Sequence, residues 1–531
     1  MCIRPWITAM LAALLLLSAN TTLAGHPFRG AARLTVLLCQ YSDSAQPPPK
    51  TVAQVEDMLI RPGTGGLADY YAAVTRGAVS MAGSSVRGWF TIPQTIAAVR
   101  AFSHGGPGGD RNRSFQLCVD AARGAGVTPP AGDFVAVVTS PEVDLWGGGG
   151  SRAFLGVNHE LAAFGHEISH GFGLNHSHSE NVSAPCGGVL SEYHDAYDVM
   201  SWACETMLTP TANFGFGGPG FNAFHMDRMG WLGRSEILTF GANGTRSATT
   251  TLTALYRVGF GGTRMIRVPY DPADLNRYYT LELRMPTGWD AGFGTPVVLI
   301  HDSRMEQGEH RSFLLRASLD GPPEQRLIRD GVIIMVQSID AANGTARVQI
   351  SSPMAERCLL GYVWREAGPD DLVCVPGASR DAVRQENVQG PARRQPNGLC
   401  LQGFVWREAF PADHVCVPGT ARTRVRQENG VAATRANPAR LAHGPNACLA
   451  GYVWREADDR DWVCVSGATR AETLQENALA ASRRVGATNT CKPGYVWREA
   501  YPVDDKTCVP GSSRTRARQD NQTVDSRRAP F

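Results

Sequence analysis

The stretch HEISHGFGLNH, at residues 166–176, matches the pattern H-E-x-x-H-x-x-G-x-x-H, an extended zinc-binding signature. His166 and His170 are four residues apart, so on a helix they share one face and can bind one metal ion together. Glu167 stands beside the first of these ligands and can reach a water molecule on the metal. The fixed positions therefore predict a helix that carries two metal ligands and one general base.

The second half of the same stretch predicts a third ligand. Gly173 permits a turn out of the helix that a residue with a side chain would resist, and this turn brings back His176. Three protein ligands leave one zinc position open for water, as a catalytic site requires. The alternative is a closed structural site with His178 as a fourth ligand, but it gives Glu167 no role. His176 is preferred to His178 because its spacing from Gly173 fits.

The flanking sequence agrees with this prediction. Residues 159–170 read as one helix that Asn158 can cap, and residues 151–157 read as a short strand before it. Downstream, residues 197–201 read YDVMS. This segment resembles the Met-turn of the metzincin peptidases, in which a methionine, here Met200, lies under the zinc-binding histidines.

The chain resembles a metzincin metallopeptidase, and within that group it resembles most the gametolysin and immune-inhibitor-A-like families. The resemblance covers residues 32–350, through segments 34–41, 67–83 and 224–232 as well as the two motifs. It implies a secreted zinc endopeptidase with a twisted sheet above the active-site helix. Some metzincins carry a tyrosine two residues after the methionine. That position is Trp202 in this chain, so no tyrosine is assigned to the zinc.

Length and composition indicate a multidomain exported protein. The chain has 531 residues, too many for one hydrophobic core, and its formal net charge of +2 argues against a dedicated nucleic-acid binder. The N-terminus has the form of a secretory signal peptide, with Arg4, an apolar run at 6–18 and a small-residue cleavage site at 22–24. No later stretch is apolar enough to span a membrane, so we expect a secreted protein; a retained N-terminal anchor is the alternative.

Removal of the signal peptide takes away Cys2 and leaves twelve of the 13 cysteines, an even number that suggests disulfides in an exported protein. Cys186 and Cys204 bracket the segment that leads from the zinc signature to the Met-turn, so we pair them. Cys39 and Cys118 are then the remaining pair in the catalytic region. A latency role for Cys39, as a thiolate on the zinc, is the alternative, although no propeptide motif accompanies it.

After Gly233 the pattern changes to short alternating apolar runs separated by turn residues. Such spacing predicts an all-β unit, for which a sandwich is one arrangement. The segment 279–284, YTLELR, is similar to a Y-x-x-E-x-R strand that follows the catalytic core in the same peptidase families. The predicted strands are 249–255, 265–268, 278–283, 297–301, 312–317, 331–336 and 346–350.

The last third of the chain is an array of four repeats. The unit reads C-x-x-G-[YF]-V-W-R-E-A, then an acidic variable stretch, then C-V-x-G-x-x-R and Q-[ED]-N. Two cysteines at nearly constant spacing predict one disulfide inside each module, because so small a unit cannot bury much apolar surface. The predicted pairs are Cys358–Cys374, Cys400–Cys416, Cys448–Cys464 and Cys491–Cys508.

Each repeat also carries a tryptophan followed by Arg-Glu. These side chains are candidates for contact with an extracellular polymer or a protein surface, since weak sites in tandem gain effective concentration. The preferred alternative is that each tryptophan is the core of its own module. The linkers at 390–398 and 429–446 are predicted to be flexible from their composition. The four tryptophans are Trp364, Trp406, Trp454 and Trp497.

The sequence therefore predicts an α+β fold. A metzincin-like catalytic domain, with a twisted sheet plus an active-site helix, is followed by a β-rich domain and small disulfide-stapled repeats. The boundaries are a signal peptide at 1–24, a zinc peptidase domain at 25–235, a β-rich domain at 236–352 and repeats at 353–531 that start near 358, 400, 448 and 491.

The predicted function is that of a secreted zinc metalloendopeptidase acting on extracellular proteins. His166, His170 and His176 would hold one catalytic Zn²⁺, and Glu167 would take the proton of the attacking water. One alternative is an extracellular binding or adhesion protein in which the repeats act and the zinc domain is inactive. Another is a zinc hydrolase with a non-protein substrate. Calcium would suit an extracellular protease, but no complete calcium-loop motif supports Ca²⁺.

Overall fold

The computed structural model describes residues 27–529, except 106–107, 149–150, 181, 183–185, 187–190, 203, 205, 275, 319–325, 369–370, 438–443 and 501–504. The predicted signal peptide lies outside the described residues. Over those residues the protein is a mixed α and β structure with several sheets. None of the helices in this described part has both the length and the apolar character needed to cross a bilayer.

The first region, residues 27–235, is built around one five-stranded sheet with the strand order β4-β2-β5-β7-β6. The pairings are parallel except for β6, which runs antiparallel to β7 at one edge. The elements of the region are β1 (Gly30–Ala31), β2 (Leu34–Tyr41), α1 (Val52–Leu59), α2 (Leu67–Val74), β3 (Val79–Ser80), β4 (Ser85–Ile92), α3 (Ile96–Arg100), α4 (Arg111–Gly124), β5 (Phe134–Ser140), β6 (Trp146–Gly148), β7 (Arg152–Gly156), α5 (Leu161–His170), β8 (His178–Ser179), β9 (Thr209–Pro210), β10 (Phe216–Gly217) and α6 (Ala223–Arg228).

Strand β2 explains why the sheet has helices on both faces. It is apolar at nearly every position, as expected of a strand in the interior of a parallel sheet. Val36 and Leu38 pack in one cluster with residues of α5, whereas Leu37 and Cys39 pack in another with residues of α4. Cys39 is bonded to Cys118 of α4, with their Cα atoms 5.8 Å apart. The alternative role of Cys39 as a thiolate on the zinc is therefore wrong.

The second region consists of two packed sheets, and all seven strands predicted there are present. One sheet has the order β11-β13-β14-β15-β16-β8 and the other β12-β19-β18-β17. One buried cluster contains side chains of both sheets, such as Val268 and Leu281 with Ile334 and Val348. The elements are β11 (Ile237–Thr239), β12 (Ser247–Thr253), β13 (Met265–Pro269), β14 (Tyr278–Arg284), β15 (Val297–Glu306), β16 (Glu309–Ser318), β17 (Arg326–Arg329), β18 (Val332–Asp340) and β19 (Thr345–Ser351).

The first of these sheets takes its last strand from the first region. Strand β8 follows the zinc signature in the chain and pairs with β16, with Phe313 opposite His178. The first two regions thus share a sheet across the predicted boundary at residue 235, and the second region reaches the back of the histidine-bearing segment.

Each of the four repeats folds as a short hairpin followed by one helix. We number them 1 to 4 from their first cysteines, Cys358, Cys400, Cys448 and Cys491. The elements are β20 (Tyr362–Trp364), β21 (Cys374–Pro376), α7 (Gly377–Gln389), β22 (Val405–Trp406), β23 (Cys416–Val417), α8 (Gly419–Val431), β24 (Tyr452–Trp454), β25 (Cys464–Ser466), α9 (Gly467–Leu479), β26 (Val496–Trp497), β27 (Cys508–Val509) and α10 (Gly511–Thr523).

All six predicted disulfides are confirmed as pairs. The Cα atoms of the four pairs within repeats lie 5.5–5.6 Å apart, and those of Cys186 and Cys204 lie 6.3 Å apart. These separations are typical of disulfides. In each repeat the bond ties the start of the module to the second strand of its hairpin.

The repeats associate in two reciprocal pairs, 1 with 2 and 3 with 4. Arg365 of repeat 1 is fully buried and donates to the carbonyl oxygen of Ala409 in repeat 2 at 3.2 Å. Arg407 of repeat 2 returns the contact to the carbonyl oxygen of Ala367 in repeat 1 at 3.1 Å. Arg455 and Arg498 make the equivalent exchange between repeats 3 and 4.

The backbone and the predicted linkers also hold each pair together. Arg394, in the first linker, forms a β-bridge with Cys400, and Ala436, in the second, forms one with Cys358. Asn429 lies inside α8, and its side chain accepts a hydrogen bond from Arg365 at 2.8 Å. These described parts of 390–398 and 429–446 are structural, so the prediction that both linkers are merely flexible is wrong.

The preferred interpretation of the tryptophans as module cores is also wrong. Trp364, Trp406 and Trp497 are 38%, 37% and 41% exposed, and Trp454 is half-buried. Neighbouring residues of a strand face opposite sides, so a tryptophan and the arginine after it cannot both point inward. The arginine takes the interior because an aspartate six or seven residues later forms an ion pair with it at 2.7–2.8 Å.

Repeat 3 packs directly on the first region. Trp462 is buried and donates its indole N–H to the carbonyl oxygen of Leu232 at 3.3 Å. Asp458 forms an ion pair with Arg29 at 3.0 Å, and the side chain of Ser235 donates to Asp459 at 2.7 Å. The pair of repeats 3 and 4 is therefore fixed to the first region through repeat 3.

Candidate functional site

Helix α5 presents the zinc signature, but it begins later than predicted. Its N-cap is Glu160, and the side chain of Asn158 makes no cap. The chain forms a turn after β7, in which the N–H of His159 donates to the carbonyl oxygen of Gly156 at 3.2 Å. The amide oxygen of Asn158 accepts from Lys50 at 3.3 Å instead. The prediction of Asn158 as the cap is therefore wrong, whereas the helix itself and the strand before it are present.

The end of α5 has the turn that the glycine in the signature predicts. Gly173 has a φ of 86°, in the left-handed region that a residue with a side chain rarely adopts. The chain reverses direction at Gly173 and brings His176 next to helix α5. His178 lies in β8 and is not part of the histidine group, so the described residues give no support to the closed four-ligand alternative.

The three predicted ligands converge through their Nε2 atoms. The Nε2 of His170 lies 3.2 Å from that of His166 and 3.1 Å from that of His176. A tetrahedral zinc ion with Zn–N bonds of about 2.0–2.1 Å would hold its ligand nitrogens about 3.3 Å apart. The spacing in the protein therefore suits a single small cation bound by three imidazoles.

Each imidazole is oriented by a hydrogen bond at its other nitrogen. The Nδ1 of His166 donates to the carbonyl oxygen of Val199 at 3.0 Å, and that of His170 donates to the carbonyl oxygen of Leu174 at 2.8 Å. A carbonyl oxygen can only accept, so these two rings carry their proton on Nδ1 and direct a lone pair from Nε2. Such lone pairs repel one another at this separation unless a cation lies between them.

Burial keeps the imidazoles of His166 and His170 in the neutral form that binds metals. Burial, with the neighbouring histidines, holds the pKa of His166 well below its ordinary value and lowers the pKa of His170 to about 3. The adjacent Glu167 is also buried, and burial raises its pKa to about 8 in the protein without a metal. A bound cation would stabilise the carboxylate form of Glu167.

Edge strand β6 passes close to Glu167. The backbone of Gly147 forms a hydrogen bond with its carboxylate. A Cβ atom on Gly147 would collide with both the carbonyl oxygen and the carboxylate of Glu167, so only glycine permits this approach. Gly147 therefore lets the edge of the sheet lie against the helix that carries Glu167.

Met200 lies in a buried turn that packs against helix α5. It is fully buried in the 3₁₀ turn Val199–Ser201 and belongs to the core cluster that contains Ile168 of α5. The carboxylate of Asp198 accepts from the N–H of Met200 at 2.7 Å and fixes the turn. Burial alone would raise the pKa of Asp198, but the adjacent His225 and backbone donors hold it below its ordinary value.

Two residues beside the histidines were not identified from the sequence. The carboxylate of Glu192 accepts from the Nδ1 of His176 at 2.6 Å, and the hydroxyl of Tyr193 lies 2.9 Å from the Nε2 of the same ring. Both are placed by backbone pairing, because Glu192 forms an antiparallel bridge with His178. Glu192 and Tyr193 do not stand at a fixed interval from the zinc signature, so the sequence alone gave no sign of them.

The tyrosine that lies beside the histidines is Tyr193, and it does not stand two residues after Met200. Trp202 stands two residues after Met200, and its indole donates to the carboxylate of Glu160 at 2.7 Å. Tyr193 has a φ of 64°, an unusual conformation for a bulky residue. The sequence assigned no tyrosine to the zinc, and the structure adds Tyr193 as a tyrosine that lies beside the histidine group.

The second region supports the site from behind. His301 of β15 forms an ion pair with Asp195 at 3.0 Å, just ahead of the Met200 turn. Arg284 of β14 donates to the carbonyl oxygen of Tyr197 at 3.1 Å, and Glu282 accepts from the first N–H of α6. The Y-x-x-E-x-R segment thus belongs structurally to the site, although it makes no contact with the histidine group.

The arrangement can bind one divalent cation and place a carboxylate next to it. No protein-family model matches the chain, and no curated protein is similar to it. The chemistry of the site therefore follows from the residues themselves.

Proposed function

We propose that the protein is a zinc-dependent endopeptidase of the metzincin type that acts on proteins outside the cell. The observation that carries this proposal is the convergence of three imidazoles, in which the Nε2 of His170 lies 3.2 Å and 3.1 Å from those of His166 and His176, next to the buried carboxylate of Glu167. A structural site would have no use for that carboxylate.

In this proposal His166, His170 and His176 hold the zinc ion. Bound zinc supplies an activated water molecule and polarises the scissile carbonyl group. Glu167 accepts the proton of the attacking water and then passes it to the leaving amine. The backbone of Gly147 holds the carboxylate in position through its hydrogen bond. The hydroxyl of Tyr193 lies on the same side of His176 as the lone pairs and can donate to the developing oxyanion.

Two further observations support the metzincin type and the extracellular location. The turn that contains Met200 is buried, and its Val199 accepts a hydrogen bond from the Nδ1 of His166, which suits a Met-turn. Six disulfides are consistent with an oxidising compartment, since such bonds are rare in reducing ones. The peptidase domain would then correspond to residues 25–235.

The test is digestion of casein by the purified mature chain, with and without a zinc chelator, beside Glu167→Ala. We expect cleavage that the chelator stops, and a rate at least about a hundredfold lower in Glu167→Ala with zinc still bound. Asp120→Ala is the control and should retain full activity, because Asp120 is exposed on α4, which packs on the opposite face of the sheet from α5. The proposal fails if the folded, zinc-loaded chain does not cleave casein, or if Glu167→Ala is fully active.

A further inference from the structure

Trp454, the half-buried tryptophan of repeat 3, forms one wall of a groove that holds Arg234 of the first region. The guanidinium of Arg234 donates to the carbonyl oxygens of Asp458 at 2.7 Å and Asp461 at 2.8 Å. Its central carbon lies 5.8 Å from the ring centre of Trp454 and 5.6 Å from that of Trp462. We call this the arginine groove of repeat 3.

The groove suits a guanidinium group for three reasons. Backbone carbonyl oxygens can only accept hydrogen bonds, and a guanidinium offers five donors in one plane. The two indole rings attract a cation through their π faces. The carboxylate of Glu456 lies 4.0 Å from the Nε of Arg234 and adds a negative charge.

Repeat 2 contains a groove built from the equivalent positions. Counted from the cysteines, Trp406 corresponds to Trp454, Glu408 to Glu456, and His414 to Trp462. The turn that presents the carbonyl oxygens is also the same. The N–H of Asp413 donates to the carbonyl oxygen of Phe410 at 2.9 Å, as Asp461 does to Asp458 at 3.2 Å. Trp406, Glu408, Phe410 and His414 line a cavity of about 660 Å³, ample for an arginine side chain.

In repeat 4, as in repeat 3, a cation lies over the face of the equivalent tryptophan. Lys506 occupies the position of Trp462, two residues before the second cysteine, and its Nζ lies 5.7 Å from the ring centre of Trp497. Repeat 4 therefore covers its own tryptophan. In repeat 2 that position is His414, whose ring lies 4.4 Å from that of Trp406, and within the described residues no lysine or arginine lies over Trp406.

We propose that the arginine groove of repeat 2 binds an arginine side chain of another protein. In repeat 3 the residue before the arginine, Gly233, lies against the carboxylate of Asp459, but repeat 2 has Pro411 at that position, so the groove of repeat 2 requires only the arginine itself of its partner. Glu408 already forms ion pairs with Arg426 and Arg422. The aromatic walls and the carbonyl oxygens must therefore provide most of the binding. This inference is independent of the proposed peptidase activity.

The probe is a fluorescently labelled peptide with the sequence of residues 230–237, GWLGRSEI, added to the full chain. The chain carries Glu167→Ala, so that a peptidase activity cannot digest the probe. Binding is followed by fluorescence anisotropy. We expect saturable binding, and at least about tenfold weaker binding for the same peptide with its arginine replaced by alanine. Equal binding of the two peptides, or no binding of either, overturns the proposal.

Three variants locate the site. Trp406→Ala removes one wall, and His414→Lys keeps Trp406 but places the cation of repeat 4 over it. Both should weaken binding at least about tenfold. Trp497→Ala is the matched control, since Trp497 is similarly exposed but already covered by Lys506, and it should bind the peptide as the parent does.

The opposite results are equally clear. Unchanged binding in both Trp406→Ala and His414→Lys overturns the proposal, because the peptide must then bind elsewhere, for example by displacing Arg234 from repeat 3. An equal loss in Trp497→Ala also overturns it, since binding would not depend on the groove of repeat 2. Hydrogen exchange of α8 checks that each variant retains its fold.

Discussion

At the scale of single residues, the three metal-facing histidines are held by unequal partners. Two donate from Nδ1 to backbone carbonyl oxygens, which no substitution of a side chain can remove. His176 alone donates to a side chain, the carboxylate of Glu192. A carboxylate partner both orients the ring and makes its Nε2 more basic, so Glu192 should contribute to metal affinity without contacting the metal.

We expect Glu192→Gln to weaken zinc binding about 10- to 100-fold, because the amide keeps the hydrogen bond but loses the negative charge. The affinity can be measured by competition with a chromophoric chelator. Asp120→Asn is the control, since Asp120 is exposed on α4, on the opposite face of the sheet from α5, and pairs with Arg123. Equal affinity in the parent and Glu192→Gln would contradict this role.

Tyr193→Phe removes a hydroxyl that lies 2.9 Å from the Nε2 of His176. If this hydroxyl donates to the oxyanion, kcat should fall about 10- to 100-fold with little change in KM or in zinc content. The visible spectrum of the cobalt-loaded protein provides a measurement that does not depend on turnover. Tyr197→Phe is the matched control, because the ring of Tyr197 packs on Phe293, away from the histidines. An unchanged kcat would remove Tyr193 from the mechanism.

The sequence indicated the site residues that are positioned by helix α5 and by the turn after it. It missed the site residues that are positioned by backbone pairing between two segments of the chain. Three histidines and Glu167 stand at fixed intervals, and each interval follows from helix or turn geometry. Glu192 and Tyr193 reach the same histidines because residues 191–193 pair with 177–179, with Tyr193 donating its N–H to Ser177 at 3.0 Å. Such a backbone pairing produces no fixed residue spacing that could be recognised in a single sequence.

At the scale of secondary structure elements, the repeats depend on a buried arginine and not on the tryptophan beside it. In repeat 1, Arg365 forms an ion pair with Asp371 at 2.8 Å and also contacts Asn429 and Glu428 of repeat 2. The charge is therefore compensated partly by its own module and partly by the neighbouring one. A module of this size lacks the apolar surface to bury a tryptophan on its own.

Removal of Arg365 should unfold the pair of repeats 1 and 2 selectively. Arg365→Ala leaves the buried carboxylate of Asp371 without its cation, which costs about 3–5 kcal/mol. Hydrogen exchange measured by mass spectrometry should show loss of protection in α7 and α8 but not in α9 and α10. Arg384→Ala is the control, since the Arg384–Glu366 pair is exposed and contributes little. Equal loss in all four helices would contradict the assignment of two independent pairs.

At the scale of the whole molecule, the regions are joined by contacts that cross large distances in the sequence. The seven predicted strands of the second region are present because alternation is a local signal. The addition of β8 to their sheet and the packing of repeat 3 on the first region are not local, so neither could be predicted. Repeat 3 carries Asp458 and Asp459 where repeat 2 has Phe410 and Pro411. Asp458 forms an ion pair with Arg29 of the first region, and Asp459 accepts a hydrogen bond from Ser235.

Arg234 is the residue on which this packing should depend most. Arg234→Ala removes two hydrogen bonds to backbone carbonyl oxygens and both cation–π contacts, which together are worth about 2–4 kcal/mol. The pair of repeats 3 and 4 should then separate from the first region, and small-angle scattering should record a larger radius of gyration. Arg384→Ala should leave that radius unchanged.

The same variant links the packing to the arginine groove. Once Arg234 is removed, the groove of repeat 3 becomes available, so the labelled peptide should bind with two sites per chain where the parent has one. Trp454→Ala in addition should return the count to one, because it removes a wall of the newly available groove. A single site in Arg234→Ala, together with an unchanged radius of gyration, would mean that Arg234 neither holds repeat 3 in place nor fills a groove that other arginines can enter.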